Sequence, residues 1–287
     1  MRFMVFVKGN KDSEAGKLPS PQEIAEMGVF NQELIDAGMV LGMEGLKNTA
    51  SGTRVRYANG DTSVVDGPFA EAKEVIAGYW LLSAKSKDDV LDWLKRAPCF
   101  NDGGELEIRP LYEAEDFGGD PNAPAPPVGP AKPNTRRYLL SLFADRFTEA
   151  GTDLRSPEAQ KVMEKMGALM GEIAGQGALI AADGLKPSSA GAKLQFSGKN
   201  RRVVDGPFAE SKELIAGFTV VRATSKEEAV DWARRMLVIH CQGVGASEGQ
   251  VEVRPIFETA DFPVDPSEKP GGWRDQENAF RERTGQA

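Results

Sequence analysis

The tetrapeptide Asp66-Gly67-Pro68-Phe69 returns unchanged as Asp205-Gly206-Pro207-Phe208. A carboxylate ahead of Gly-Pro can do two kinds of work. It can accept hydrogen bonds from backbone N–H groups as an Asx-turn or cap, with Gly supplying an unusual backbone angle, Pro stiffening the turn and Phe anchoring it in the core. Alternatively, Asp66 and Asp205 stand at the mouth of a cavity between loop and sheet as general bases, with Phe69 and Phe208 against the substrate. The four residue types fit both readings. Glu71, Lys73 and Glu74 follow the first loop, and Glu210, Lys212 and Glu213 follow the second. Such charges usually form a solvated face, but Lys73 and Lys212 could also fix an anionic substrate. Arg109 and Arg254 each precede a proline on a closing strand. There an arginine can hold a carboxylate bidentately, either a substrate's or that of the Asp-Gly-Pro-Phe loop. Glu44 and Asp183, each just before a Gly-Leu pair, are weaker candidates for a carboxylate at the cavity wall, with solvent exposure the competing reading.

The chain holds one histidine, His240, followed by Cys241. Neighbouring residues on one element point apart, so the pair is not a ready-made nucleophile and base. A zinc site from His240, Cys241 and Cys99 would need distant residues to meet, and haem ligation would rest on His240 alone. The expected role of His240 is to cap the end of a helix, where a cation suits the dipole. No phosphate-cradling Gly-rich loop, dinucleotide fingerprint or serine elbow occurs. The reading is therefore no metal and no cofactor.

These residues sit in a duplicated frame. Val64–Arg96 and Val203–Arg235 align without gaps at an offset of 139 and agree at 19 of 33 positions. Ile108-Arg109-Pro110-Leu111-Tyr112-Glu113 matches Val253-Arg254-Pro255-Ile256-Phe257-Glu258 at an offset of 145, so six residues enter the second copy between its second helix and last strand. Each copy opens with an apolar strand (Arg2–Val7, Arg137–Phe143). A helix then begins at Ser20-Pro21 or Ser156-Pro157 and ends before Gly38 or Gly177. Short strands with a turn at Asn59-Gly60 come next, then a long strand (Val75–Ala84, Leu214–Ala223). A helix carrying Trp93 or Trp232 and a closing strand complete the copy. Pro110 and Pro255 suggest a sheet edge or bulge for that last strand.

The order β-α-β-hairpin-β-α-β reads as a ferredoxin-like α+β unit. Helices there cover one sheet face, yet Tyr79-Trp80-Leu81-Leu82 is apolar at successive positions and wants cover on both. The second copy supplies it. Two sheets packed face to face, with four helices outside, give an intramolecular pseudo-dimer. The expected divisions are a first repeat over 1–118, a linker over 119–135 with six prolines between Pro121 and Pro133, a second repeat over 136–262, and a tail over 263–287 with a peripheral polar helix at Trp273–Arg283.

Composition bounds the rest. The 287 residues carry 43 acidic and 35 basic side chains, a net charge of -8, which argues against nonspecific nucleic-acid binding. No apolar run approaches the length of a membrane span, and the N-terminal run before Lys8 is too short for a signal peptide. Two cysteines are no disulfide framework, so a reducing cytoplasm is the expected location.

The repeated Asp-Gly-Pro-Phe-Ala-Glu with Lys-Glu two positions on, the aromatic strand, the Trp helix and the Glu-x-Arg-Pro ending resemble the DGPF subgroup of the YCII-related protein family. The resemblance covers both copies. It implies a dimeric α+β barrel and a bacterial, cytoplasmic protein. Enzymes of the wider family look to use a His-Asp pair for acid-base work, but the N-terminal strand here has no histidine. The functional expectation is a small anionic or aromatic ligand in one cavity per half. Cofactor-free acid-base chemistry would use Asp66 and Asp205, with Arg109 and Arg254 orienting the ligand. The alternative is a non-catalytic regulatory module for a protein partner such as an extracytoplasmic-function sigma factor, a pairing that the resemblance also implies.

Overall fold

Each half of the chain donates a hairpin to the sheet of the other. The computed structural model describes residues 1–69, 75–98, 100, 103–118, 129–151, 153–208, 213–262 and 272–285. The first repeat runs β1 (Arg2–Lys8), α1 (Lys11–Glu14), α2 (Pro21–Asp36), β2 (Val40–Gly45), β3 (Thr53–Ala58), β4 (Asp61–Asp66), β5 (Ile76–Ser83), α3 (Lys87–Leu94) and β6 (Gly104–Pro110). The second runs β7 (Arg136–Phe143), α4 (Arg146–Glu149), α5 (Pro157–Gly175), β8 (Leu179–Gly184), β9 (Ala192–Ser197), β10 (Asn200–Asp205), β11 (Ile215–Ala223), α6 (Lys226–Val244) and β12 (Glu248–Pro255), and α7 (Trp273–Thr284) follows.

The two six-stranded sheets have the orders β10-β9-β6-β1-β5-β2 and β4-β3-β12-β7-β11-β8. All pairings are antiparallel. The hairpin of one repeat thus extends the sheet of the other, with Leu106 opposite Leu194 and Val251 opposite Val55. The reason lies in chain direction. β2 is the outer strand of its own sheet, and the chain beyond it crosses to the neighbouring sheet at the bridge Leu46–Ile256, with Leu111–Leu185 as its counterpart.

Period-two patterning assigns the strand faces. Along β5, Tyr79 and Leu81 join Met4, Phe6, Leu139, Phe218 and Val220 between the sheets, while Trp80 and Leu82 join Phe3, Val5, Phe30 and Leu34 beneath the helices. The exchange reaches both outer cores: Leu194 and Phe196 pack in the first half, Val55 and Tyr57 in the second. This is the face-to-face α+β pseudo-dimer expected from the strand patterning.

Local chemistry sets the boundaries. Ser20 caps α2 through the N–H of Glu23, whose carboxylate returns to the Ser20 N–H, and Pro21 occupies the first helical position. Asn59 and Gly60 both have positive φ, as the tight β3–β4 turn requires.

Several expectations are corrected. β6 and β12 are interior strands, and Pro110 and Pro255 end them without marking an edge. The longer second copy has a longer helix: α6 spans 19 residues against eight for α3. The tail helix is not peripheral. α7 returns to the first half, where Phe280 is buried in the core beside α2. The linker over 119–128 lies outside the described residues. Beyond it, the Gly129 N–H donates to the Ala174 carbonyl near the end of α5.

Candidate functional site

The two Asp-Gly-Pro-Phe loops are braced from beneath. A Cβ on Gly67 would fall on the carbonyl of Thr49, and one on Gly206 on that of Ser188, so only glycine fits. The Phe208 N–H donates to Ser188 Oγ at 3.2 Å, and the Ser188 N–H donates to the Glu149 carboxylate at 3.1 Å. Arg109, fully buried, donates to the Lys186 carbonyl at 2.6 Å, to Glu107 at 3.1 Å and to Glu149 at 3.4 Å. In the other half Arg254 donates to the Lys47 carbonyl at 2.9 Å and to Glu252 at 3.0 Å, while the Glu14 carboxylate accepts from the Thr49 N–H and the Thr49 hydroxyl meets the Phe69 N–H.

The arginines therefore hold loop carbonyls and internal glutamates. The expected pairing with the loop aspartates does not occur. Asp66 takes Lys226 Nζ at 2.7 Å and Thr53 Oγ1 at 2.6 Å, and Asp205 takes Lys87 Nζ at 2.7 Å. Both side chains are about two-thirds exposed, and hydrogen bonds from Lys226 and Thr53 hold Asp66 below the usual carboxylate range. Phe69 lies over the Arg54 guanidinium at 4.3 Å and Phe208 under Lys193 Nζ at 5.1 Å. Lys73 and Lys212 lie outside the described residues.

His240 sits within α6, four residues before its end, and its Nε2 meets Asp145 Oδ2 at 2.9 Å. It does not cap the helix. Burial acts to raise Asp145, but the bonds from His240 and the Thr148 N–H hold it at about 2. Cys241 is buried, which pushes its thiol up to about 11. Cys99 lies outside the described residues. No group of three potential metal ligands occurs among the described residues.

A cavity of about 470 Å³ opens between α2, β2, β5 and α7. Its walls are apolar and aromatic, with Ile24, Met27, Met43, Trp80, Phe262 and Trp273 prominent. Of the residues singled out from sequence, only Glu44 lines it. The Glu44 side chain is 2% exposed. One of its oxygens pairs with Arg137 Nη1 and the other accepts from Arg281 Nη2 at 2.9 Å. Glu258 accepts from Arg137 Nη2 at 2.8 Å and from Arg281 Nη1 at 3.4 Å, and Glu277 lies 2.9 Å from Arg281. Tyr79 stands opposite Glu44 on β5, and Trp80 Nε1 donates to Asn31 Oδ1 at 2.9 Å.

Electrostatics sets Glu44 apart. Burial pushes it up to about 7 against the pull of Arg137 and Arg281. Burial also opposes the charge on Arg137, yet Glu44 and Glu258 outweigh it and hold that proton more firmly. Two guanidiniums on one carboxylate keep the arginines charged, and burial works against the charge on Glu44. The second half repeats part of this arrangement: Arg2 donates to Asp183 and to Glu113, each at 2.9 Å, and burial lifts Asp183 to about 6.

The YCII-related domain model matches this chain twice, over residues 1–115 and 143–259. The chain belongs to the YCII-related family. An uncharacterised protein of Rhizobium meliloti (strain 1021) is 35% identical over 99 residues, which is 34% of this YCII-related chain and 76% of that protein. Among solved structures, a mutant chlorite dismutase from Candidatus Nitrospira defluvii in complex with cyanide is 9% identical, with a TM-score of 0.37 over 90% of this chain and 91% of that one.

Arg137, Glu258 and Tyr79 were read from the sequence as strand or repeat positions and not as site residues. Yet Arg137 matches Arg2, and Glu258 matches Glu113, at corresponding positions of the two copies. No repeat signal points to Arg281, Glu277 or Trp273, because α7 has no counterpart in the first copy. No helix is long and apolar enough to cross a membrane, among the described residues.

Proposed function

We propose that the protein binds a small, flat, largely apolar weak acid, such as a phenol or an enolisable carbonyl compound, in the cavity between α2, β5 and α7, with Glu44 as proton acceptor. The observation that carries this reading is Glu44, a buried carboxyl held by Arg137 and Arg281 and pushed up to about 7 by burial, in the lining of a cavity whose surface is mostly apolar. A base poised near the working pH combines the right charge state with a useful driving force. The lining bears Asp12, Glu23, Glu44 and Glu277 against Lys17 and Arg281, a balance that favours a neutral ligand over a preformed anion. In the step proposed, the ligand's O–H or C–H proton passes to the Glu44 carboxylate. The bond pair stays on the ligand as phenolate or enolate, next to the charge of Arg281. This moves the proposed base from Asp66 and Asp205, which are exposed and engaged by lysines, to Glu44.

The test is a thermal-shift panel of phenols, 1,3-dicarbonyls and benzoates against the whole chain. Neutral weak acids are expected to raise the melting temperature, as preferential binding to the folded state requires. Bound enolisable ligands should exchange their α-deuterium faster than in buffer. Glu44→Gln should retain binding and lose exchange. No stabilising compound, or full exchange in Glu44→Gln, overturns the reading.

A further inference from the structure

Part of the cavity's charged lining comes from outside the repeat that forms its floor. α7 follows the second repeat in sequence yet places Trp273, Gln276, Glu277 and Arg281 along the first half's cavity. We propose that α7 specialises the first half, with Arg281 a positioning residue that bridges Glu44 and Glu258 and so fixes the orientation and charge of the Glu44 carboxylate. This rests on Glu44 as the proton acceptor, and goes further in assigning control of that base to the C-terminal helix.

The internal repeat supplies the comparison. Glu44, Arg137 and Glu258 correspond to Asp183, Arg2 and Glu113. In the second half one guanidinium serves both carboxylates, and the Asp183 and Arg2 side chains are 19% and 33% exposed. In the first half a second guanidinium has been added and the Glu44 and Arg137 side chains are 2% and 5% exposed. The second guanidinium, Arg281, comes from α7.

Anchoring of the helix does not explain the arginine. Phe280, the preceding residue, is buried in the first half's core and holds α7 by apolar contact. Arg281 Nε is buried with no hydrogen-bond partner, which is a cost to stability. An apolar side chain at 281 would dock the helix without that cost. The gain lies at Glu44, whose second oxygen would otherwise face a low-dielectric wall. The charged and titratable groups facing Glu44 are Arg137 from β7, Tyr79 from β5, Glu258 beyond β12, and Arg281 with Glu277 from α7. Arg281 is the one cation among them contributed by α7.

The experiment follows the Glu44 and Asp183 carboxyl carbons by carbon-13 NMR through a pH titration of the full chain without ligand. In Arg281→Gln the Glu44 midpoint is expected to rise by about one pH unit or more, a tenfold gain in proton affinity. Arg281→Lys should recover part of that rise, and Asp183 should hold its wild-type midpoint as the internal control. Phe280→Ala, which loosens α7 while keeping the arginine, should move Glu44 in the same direction. A Glu44 midpoint unmoved in Arg281→Gln overturns the proposal, as does an equal movement of Asp183. Because no ligand is present, a failed ligand screen leaves this readout intact. An unmoved midpoint with ligand exchange retained would remove only the role of Arg281.

Discussion

Arg281 Nη2 lies 2.9 Å from Glu44 Oε2, across 237 positions of sequence. The contact joins the last helix of the chain to the second strand of the first repeat. It lies at the edge of the first sheet, because β2 is an outer strand whose neighbour is β5 alone. An edge strand leaves room for a third element, and α7 takes it.

The pH dependence of stability should report Glu44. Its carboxyl rises from 4.5 to about 7 in the folded chain, so the folded state holds the proton more tightly than the unfolded one. A group raised in this way lowers stability as pH climbs between those two values and has little further effect outside them. Asp183, lifted from 3.8 to about 6, acts in the same sense. The melting temperature measured by calorimetry is expected to fall between pH 5 and 7.5. The fall should be smaller in Glu44→Gln, and equal slopes in the two proteins would contradict the assignment.

The Asp-Gly-Pro-Phe loops should be sensitive at glycine and tolerant at aspartate. Gly67→Ala or Gly206→Ala forces a methyl onto a backbone carbonyl and is expected to cost about 1–3 kcal/mol each, seen as a lower urea midpoint. Asp66→Asn and Asp205→Asn each remove an exposed lysine pair, and such pairs contribute little to stability. The aspartate double mutant should melt within a few degrees of wild type. A large loss there, or none for the glycines, would reverse the roles given to these residues.

The repeat, the succession of elements along the chain and the two-faced apolar strand at Tyr79–Leu82 were legible because each is written locally, as period-two alternation or a direct match between copies. Hairpin exchange was not, since Val55 and Tyr57 would show the same alternation in either sheet. Glu44 could be picked out because Asp183 repeats it, but its burial depends on Arg137 and Arg281, which no spacing connects to it. Asp66 misled for a related reason. Two identical loops announce a shared constraint, and the constraint lies at glycine, against the backbone carbonyls of Thr49 and Ser188.

Arg109 tests the buried bracing. Its guanidinium is fully buried against Glu107, which Lys8 also contacts at 2.8 Å. Replacing Arg109 by Met keeps much of the volume but leaves the glutamate short of a partner and the Lys186 carbonyl without its donor. Breaking a buried pair from one side costs about 3–5 kcal/mol. Arg109→Met together with Glu107→Gln removes both charges and should recover part of that loss. A double mutant no more stable than the single one, in urea unfolding, would show that the pair is not the source.

The exchanged hairpins make a prediction about the halves themselves. Cut between the repeats, residues 1–118 contain β3 and β4 but not β12, the strand on which that hairpin pairs from Glu248 to Val253. The first sheet equally loses β9, and with it Leu194 and Phe196 from the core under α2 and α3. A two-stranded hairpin has little stability alone. Each half therefore has an open sheet edge and an unpaired hairpin, which only a second half can satisfy. Co-expressed, residues 1–118 and 129–287 should assemble one to one. Residues 1–118 alone should form a homodimer in which two copies exchange hairpins, since the repeats share their pairing pattern. Light scattering after size exclusion distinguishes the cases, and a stable folded monomer of either half would rule out the exchange as the basis of the assembly.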